Sequence, residues 1–182
     1  MARAGLTGRP AAGMASGVEL SFHGPRLVAH QATRAHVEAI QACFEGAPDY
    51  FARTEGQPPG PDAAAHLLAD AEADPGRRVF VLVPRAGGSA VGVLDLHLDY
   101  PEPGTAHVGL LLFREACQGL GYGKETTAAV EAALARLGYR ALRLSVVDEN
   151  VEAQLFWQRI GFAEVGRLDR GVTVYEKILG RA

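Results

Sequence analysis

The hexapeptide Gln118-Gly119-Leu120-Gly121-Tyr122-Gly123 joins an apolar, strand-like run to a strongly helical one, and that junction restricts the fold more than any other part of the chain. Before it, Val108-Gly109-Leu110-Leu111-Leu112-Phe113 is short and almost wholly apolar, as a strand buried on both faces must be. After it, Val130, Ala133, Leu134 and Leu137 recur at helical spacing and Gly138 follows as a C′ residue, which predicts a helix over Lys124 to Leu137. A helix start presents unpaired N–H groups and the positive end of its dipole, and glycines let an anion approach without meeting a Cβ. Strand, glycine loop and helix in this order predict a phosphate site, where each N–H to a charged oxygen contributes roughly 1.5 to 3 kcal/mol.

Two common phosphate loops fail on residue identity. A Walker A loop requires Gly at the place of Gln118 and Ser or Thr at the place of Glu125, and without that hydroxyl nothing in the loop binds magnesium. The dinucleotide fingerprint spaces its last two glycines three apart, whereas Gly119, Gly121 and Gly123 alternate. The pattern that fits is Gln118-x-x-Gly121-x-Gly123, which resembles the (Arg/Gln)-x-x-Gly-x-(Gly/Ala) acyl-CoA pyrophosphate loop of the GCN5-related N-acetyltransferase (GNAT) superfamily. Downstream, Asn150-Val151-Glu152-Ala153-Gln154-Leu155-Phe156-Trp157-Gln158-Arg159-Ile160-Gly161-Phe162 resembles that superfamily's Asn-x-x-Ala-x-x-(Leu/Phe)-Tyr-x-x-x-Gly-Phe segment. More loosely, the resemblance extends over residues 26 to 179.

Length and composition set the frame for this reading. A chain of 182 residues, 48% of them hydrophobic, can bury one core of ordinary size. A net charge of -3 with no Lys/Arg cluster argues against an electrostatic nucleic-acid binder. Cys43 and Cys117 form no CxxC pair or zinc spacing, and no apolar run approaches the roughly 18 residues that span a bilayer. A soluble, reduced, cytoplasmic protein is therefore expected, without a metal, a membrane or a nucleic-acid partner. Residues 1–24 lack the apolar stretch of a secretory signal and are expected to be a disordered leader, and the resemblance implies that 25–182 form a single acyl-CoA N-acyltransferase domain.

Periodicity, caps and turn residues give the element order β-α-α-β-β-β-α-β-α-β-β, an α/β fold with a mixed, mainly antiparallel central sheet. That is also the order of the GNAT fold, which carries helices on both faces of its sheet. The resemblance implies that the strands on either side of the glycine loop and its helix splay apart at one end to admit the pantetheine arm of acetyl-CoA. Backbone groups of Leu110, Leu111 and Leu112 would then bind the arm as an added strand does. It further implies that Gln118, Gly119, Leu120, Gly121, Tyr122, Gly123 and Lys124 hold the pyrophosphate, with Asn150 and Phe156 completing the cofactor site. Acetyl-CoA would serve as co-substrate, and the resemblance leaves room for a homodimer.

Acetyl transfer to an amine sets two protonation costs. An amine of pKa about 10 loses its proton at pH 7 at a cost of roughly 4 kcal/mol, whereas a thiol of pKa about 8.5 leaves as thiolate for only about 2 kcal/mol. A base is the more useful of the two aids. Where the superfamily commonly places an acidic Tyr, this chain has Trp157, whose indole N–H cannot be given up; on a helix it shares one face with Ala153, Phe156 and Ile160, as a packing residue does. Alternation on the strand from Val91 to Asp99 places Asp95 and His97 on one face with Val93 and Asp99, which fits either a group of acid–base side chains or a solvated strand face. His107 lies near where many superfamily members place a water-activating glutamate. Cys117 precedes a helix start, where a thiol pKa falls, but no adjacent base supports an acyl-cysteine route. Tyr50 and Phe51 fall in a helix-to-helix loop that in relatives borders the acceptor pocket, with Asp95 beside it; aromatic core filler is the equal alternative. The function implied is direct acetyl transfer from acetyl-CoA to the primary amine of a small molecule. Acetylation of a protein lysine or N-terminus, and acyl-CoA binding without catalysis, are the alternatives.

Overall fold

The computed structural model of the chain describes residues 20–169 and 171–180. Its elements are β1 (Leu27–Gln31), a 3-10 turn (Arg34–His36), α1 (Val37–Glu45), α2 (Pro48–Thr54), α3 (Ala63–Ala73), β2 (Arg77–Pro84), β3 (Gly92–Leu98) and β4 (Thr105–Phe113). A second 3-10 turn (Glu115–Cys117) leads to α4 (Tyr122–Arg136), β5 (Ala141–Val147), α5 (Val151–Arg159), β6 (Ala163–Leu168) and β7 (Val172–Ile178). The strands form one sheet in the order β1-β2-β3-β4-β5-β7-β6. Among the described residues β4 and β5 run parallel and every other neighbouring pair is antiparallel.

Alternation along the strands divides the core between two layers of helices. Val79, Val81, Val93 and Leu112 point to one face, where α1, α2 and α3 bury Ile40, Phe44, Phe51 and Leu68 against them. Phe80, Leu94, Leu96, Leu142 and Leu144 point to the other, where α4 supplies Val130 and Leu134 and α5 supplies Trp157. The α4 helix stops as its sequence requires: Gly138 adopts a positive φ of 84°, its N–H donates to Ala135 O, and Tyr139 N–H donates to Leu134 O. The α/β class, the mixed sheet and the helices on both faces agree with the sequence reading.

Three expectations need correction. The stretch around Tyr50 and Phe51 is a helix, α2, rather than a loop; Pro48 occupies its first turn, where a missing N–H costs nothing, and seven residues are too few to show a helical period. The face of β3 that carries Asp95 is not a solvated one, because the helices cover it and Asp95 is 2% exposed. Leu20 and Phe22, inside the stretch expected to be disordered, are buried, and Phe22 meets Phe80 edge-on with ring centroids 4.9 Å apart. Residues 1–19 lie outside the described residues.

Phe22→Ala is therefore expected to destabilise the fold by about 3 to 5 kcal/mol in urea unfolding, the usual cost of emptying a buried aromatic site. A change below about 0.5 kcal/mol, typical of a surface substitution, would show that this segment is not docked.

Candidate functional site

The site begins where the parallel pairing ends. β4 and β5 pair from Thr105↔Ala141 to Val108↔Leu144 and no further, so Gly109 to Phe113 have no partner on that side. At the same point the β3–β4 register shifts: Asp95 lies opposite Leu110 and Leu96 opposite Val108, leaving Gly109 as the extra residue of a bulge. A void of about 10 Å³ lies behind the split, lined by Val108, Leu111, Thr126, Leu142 and Trp157 among others.

The glycine loop opens α4 at this end of β4. Gly119 and Gly121 have φ of 71° and 82°, values that favour glycine, and Gly121 is the N-cap. Glu125 N–H donates to Gly121 O at 3.1 Å, so the amides of Tyr122, Gly123 and Lys124 precede the first helical bond and point out of the helix end. Gln118 Nε2 donates to Phe113 O at 3.0 Å and ties the loop back to β4. Glu125, at the position that rules out a Walker loop, anchors the loop to β1: its carboxylate accepts from Arg26 N, Arg26 Nε and Leu27 N at 2.6, 2.7 and 3.0 Å. Burial pushes that carboxyl up, but these donors outweigh it and hold it below the usual carboxylate range. Arg26 also donates to Leu120 O and lies over the Tyr122 ring. On α5, the Asn150 side chain caps the helix by accepting from Ala153 N–H at 3.2 Å, and Phe156 packs so closely on Gly123 that a Cβ there would meet its ring at 3.0 Å.

On the α1–α3 side a polar row crosses the sheet. Arg77 on β2 lies opposite His97 on β3, His97 opposite His107 on β4, His107 opposite Arg143 on β5, and Arg143 opposite Glu176 on β7. Arg77 binds the Asp95 carboxylate bidentately, Nε to Oδ1 at 3.0 Å and Nη2 to Oδ2 at 2.7 Å. Burial pushes the Asp95 carboxyl up, and the neighbouring His97 and Arg77 outweigh it, leaving the group below the usual carboxylate range. His97 stands between two carboxylates, with Nε2 3.6 Å from Asp95 Oδ2 and Nδ1 3.8 Å from Asp74 Oδ2. His107 is 7% exposed, with Nε2 3.3 Å from Ser145 Oγ. Its pKa is pushed down to about 4, first by burial, then by the neighbouring His97, with Arg143 adding to the effect. Tyr100 packs against both histidine rings, at 6.0 and 5.6 Å.

The structure thus brings Asp95, His97 and His107 together beside the bulge. Leu110, Leu111 and Leu112 border the split, and the residues from Gln118 to Lys124 form one turn at its end. Phe51 is a core residue, in ring contact with Phe44 and Tyr50. Tyr50 is half-buried, and burial, with Glu55 and Asp95 nearby, pushes its phenol up to about 12. Asp99 leaves the row because β3 ends at Leu98; it takes a positive φ of 55° and accepts from Gly104 N–H at 2.8 Å. Trp157 is buried between Phe156 and Phe162, both edge-on at 4.9 and 5.1 Å, which is the packing role read from its helical face. Arg77, Tyr100 and Ser145 were not foreseen. Only Arg77 left a signal, as a charge in phase with Val79 and Val81 on an otherwise apolar strand face.

Residues 38–162 match the model of the acetyltransferase (GNAT) family. The chain is similar to the crystal structure of an acetyltransferase from Thermus thermophilus, with 33% identity and a TM-score of 0.79 over 86% of this chain and 99% of that one. It is also similar to a GCN5-related N-acetyltransferase from Brucella melitensis, at 18% identity and a TM-score of 0.73 over 88% of this chain and 80% of that one. A third similar structure is spermidine N-acetyltransferase from Vibrio cholerae in complex with CoA and spermine, at 17% identity and a TM-score of 0.69 over 85% and 96%. At the last two identities the likeness is one of fold.

The depressed pKa of His107 carries a stability consequence. The unfolded chain binds the imidazole proton below pH about 6.5 and the folded chain only near 4, so stability rises with pH across that window and is fully present above it. The effect is about 3 kcal/mol in total. His107→Gln should flatten the dependence of unfolding free energy on pH between 6.5 and 4, measured by urea titration; parallel curves for the two proteins would rule this out.

Proposed function

The chain belongs to the acetyltransferase (GNAT) family, and we propose that it moves an acetyl group from acetyl-CoA to the primary amine of a small molecule by direct transfer. The observation that carries this reading is a coincidence of place: the β4–β5 split, the amides at the start of α4 and the bulge at Gly109 all lie at one end of β4. On this reading the pyrophosphate binds the amides of Gly119 to Lys124, and the pantetheine arm lies along Leu110 to Leu112, whose backbone groups on the β5 side have no sheet partner. The thioester then reaches the bulge, and the polar row lies beside it. The amine nitrogen attacks the thioester carbonyl carbon, a C–N bond forms and the C–S bond breaks. One proton passes from the ammonium to a base of the enzyme before attack, a second leaves the nitrogen as the amide forms, and the electron pair of the broken bond leaves on the CoA sulfur.

Closure of the acceptor side supports a small acceptor over a protein segment. Arg53 on α2 bonds Glu152 at the start of α5 at 2.7 Å, and Asp49 N–H donates to Glu115 at 3.0 Å, so α2 is tied down across the end of the sheet where an extended peptide would need an open groove. The pair is exposed and contributes little stability by itself; its relevance is to shape. We place the enzyme in the cytoplasm, with no nucleic-acid or membrane partner.

Two measurements test the reading. Gly121→Glu puts a side chain where φ is 82° and a negative charge against the phosphates, and is expected to lower acetyl-CoA affinity by at least about 100-fold in calorimetry, which is about two lost charge-assisted hydrogen bonds. Wild-type affinity in that variant would place the cofactor elsewhere. Thiol release with an accepted amine should rise with pH from about 7 to 9, and Trp157→Phe should keep that ascending limb. Binding of acetyl-CoA without thiol release across a panel of amines would favour a non-catalytic acyl-CoA domain.

A further inference from the structure

We propose that His97 is the residue that takes the ammonium proton, and that Asp95, held by Arg77, is the positioning residue that orients and charges it. The inference rests on the transferase reading above and deepens it. Three observations carry it. First, the bulge leaves Gly109 at the surface beside this pair: a Cβ there would stand 2.9 Å from Asp95 Oδ2 and 3.1 Å from His97 Nε2, so the missing side chain is what opens the approach to both. Second, His97 keeps access, its side chain being 26% exposed, whereas Asp95 at 3% is sealed and occupied by Arg77. Third, the imidazolium formed at His97 would lie between the carboxylates of Asp95 and Asp74, 3.6 and 3.8 Å away, while one formed at His107 would lie beside Arg143 and His97 with, among the described residues, no carboxylate in ion-pair range.

The groups facing His97 are Arg77 from β2, Asp95 from its own strand, Asp74 after α3, Tyr100 after β3 and His107 from β4. Two of these favour the protonated ring, and one cation opposes it from behind Asp95. Arg77 spends its charge on Asp95 through two short bonds, so its main effect is to fix the direction of that carboxylate. Two protons leave the nitrogen: the ring nitrogen takes the ammonium proton before attack and passes it to solvent, and the second N–H proton, lost as the amide forms, goes to solvent or to the departing thiolate.

The test is a mutant cycle read by pH. Asp95→Asn removes the nearer carboxylate and leaves Arg77, so the ascending limb of kcat/KM should move down by about one pH unit and the rate at pH 8 should fall by about 10-fold to 100-fold. His97→Gln should lower the rate at pH 8 and leave only the unit-slope rise set by the free amine, and adding Asp95→Asn to it should cost less than about 3-fold, since a residue acting through another has nothing left to act on. Full multiplication of the two losses, or an unmoved limb in Asp95→Asn, overturns the proposal. Because Asp95→Asn leaves the largely buried Arg77 guanidinium with only its 3.9 Å contact to Asp70, the pair Arg77→Gln with Asp95→Asn gives a second variant in which that charge is also removed and the limb should still fall. NMR titration of the His97 ring in wild type and Asp95→Asn separates the two levels of inference. A fall in its pKa without any thiol release in wild type would sink the transferase reading and leave the coupling intact; turnover with an unchanged His97 pKa would sink the coupling alone.

Discussion

The parallel pairing of β4 with β5 lasts for four residue pairs, and the layout of the site depends on that short contact. Parallel neighbours cannot be joined by a hairpin; they need a crossover, which the glycine loop and α4 supply. The crossover must leave from the carboxyl end of β4, which is also the end at which the strands part. Two sets of backbone groups therefore face the same opening: the unpaired side of Gly109 to Phe113 and the amides of the first turn of α4. In a closed sheet or a buried helix end these groups would be costly to leave unmatched. A ligand with a peptide-like arm and a diphosphate satisfies both at once, which is the shape of the co-substrate proposed.

The polar row beside the split is the other half of the argument, and it is an expensive arrangement. Asp95 and Arg77 are taken out of water under α1–α3, and a buried ion pair does little for stability compared with apolar residues of the same volume. Its neighbours on the same strand faces, Val79, Val81 and Val93, show that the layer accepts apolar side chains readily. What the pair provides is direction: two bonds from one guanidinium fix a carboxylate that faces His97 at the edge of the bulge. Further along, Arg143 is held by Glu176 and Glu102, so the guanidiniums at both ends of the row are neutralised by carboxylates. Burial pushes the His107 imidazole down to about 4 and so keeps it neutral at pH 7.

Sequence periodicity carried the larger elements because their energetics are local to the pattern. β5 alternates cleanly, α4 has both its apolar stripe and its terminal Gly138, and α5 has its Asn150 cap. The glycine loop was legible for the same reason, since a positive φ and a helix start leave marks in residue type. What was lost was lost to tertiary packing. α2 is a single short helix with one buried side chain, and nothing periodic distinguishes it from a loop. The polar alternation of β3 looks the same whether water or α1–α3 lies above it, so the burial of Asp95 could not be read from the strand alone. The bulge at Gly109 depends on the pairing of two strands, and its one mark in the sequence is the glycine inside the apolar β4 run. Leu20 and Phe22 show the converse, two apolar residues in a glycine-rich stretch whose docking on Phe80 outweighs the composition around them.

Trp157 shows how the energetics of the reaction and of the core meet at one position. A residue there could act as an acid toward the departing sulfur, but expelling a thiolate at pH 7 costs only about 2 kcal/mol, against roughly 4 for freeing an alkylamine of its proton. The smaller cost leaves the position open to packing. The indole is used that way, wedged edge-on between Phe156 and Phe162 and reaching the void behind the β4–β5 split. The indole thus forms part of the wall of the split, at a position that the proposed reading does not need as an acid. Under the proposed mechanism the remaining protonation cost falls on the amine side, where the bulge and the His97–Asp95–Arg77 arrangement stand, so binding by backbone groups and proton transfer by side chains occupy opposite sides of β4.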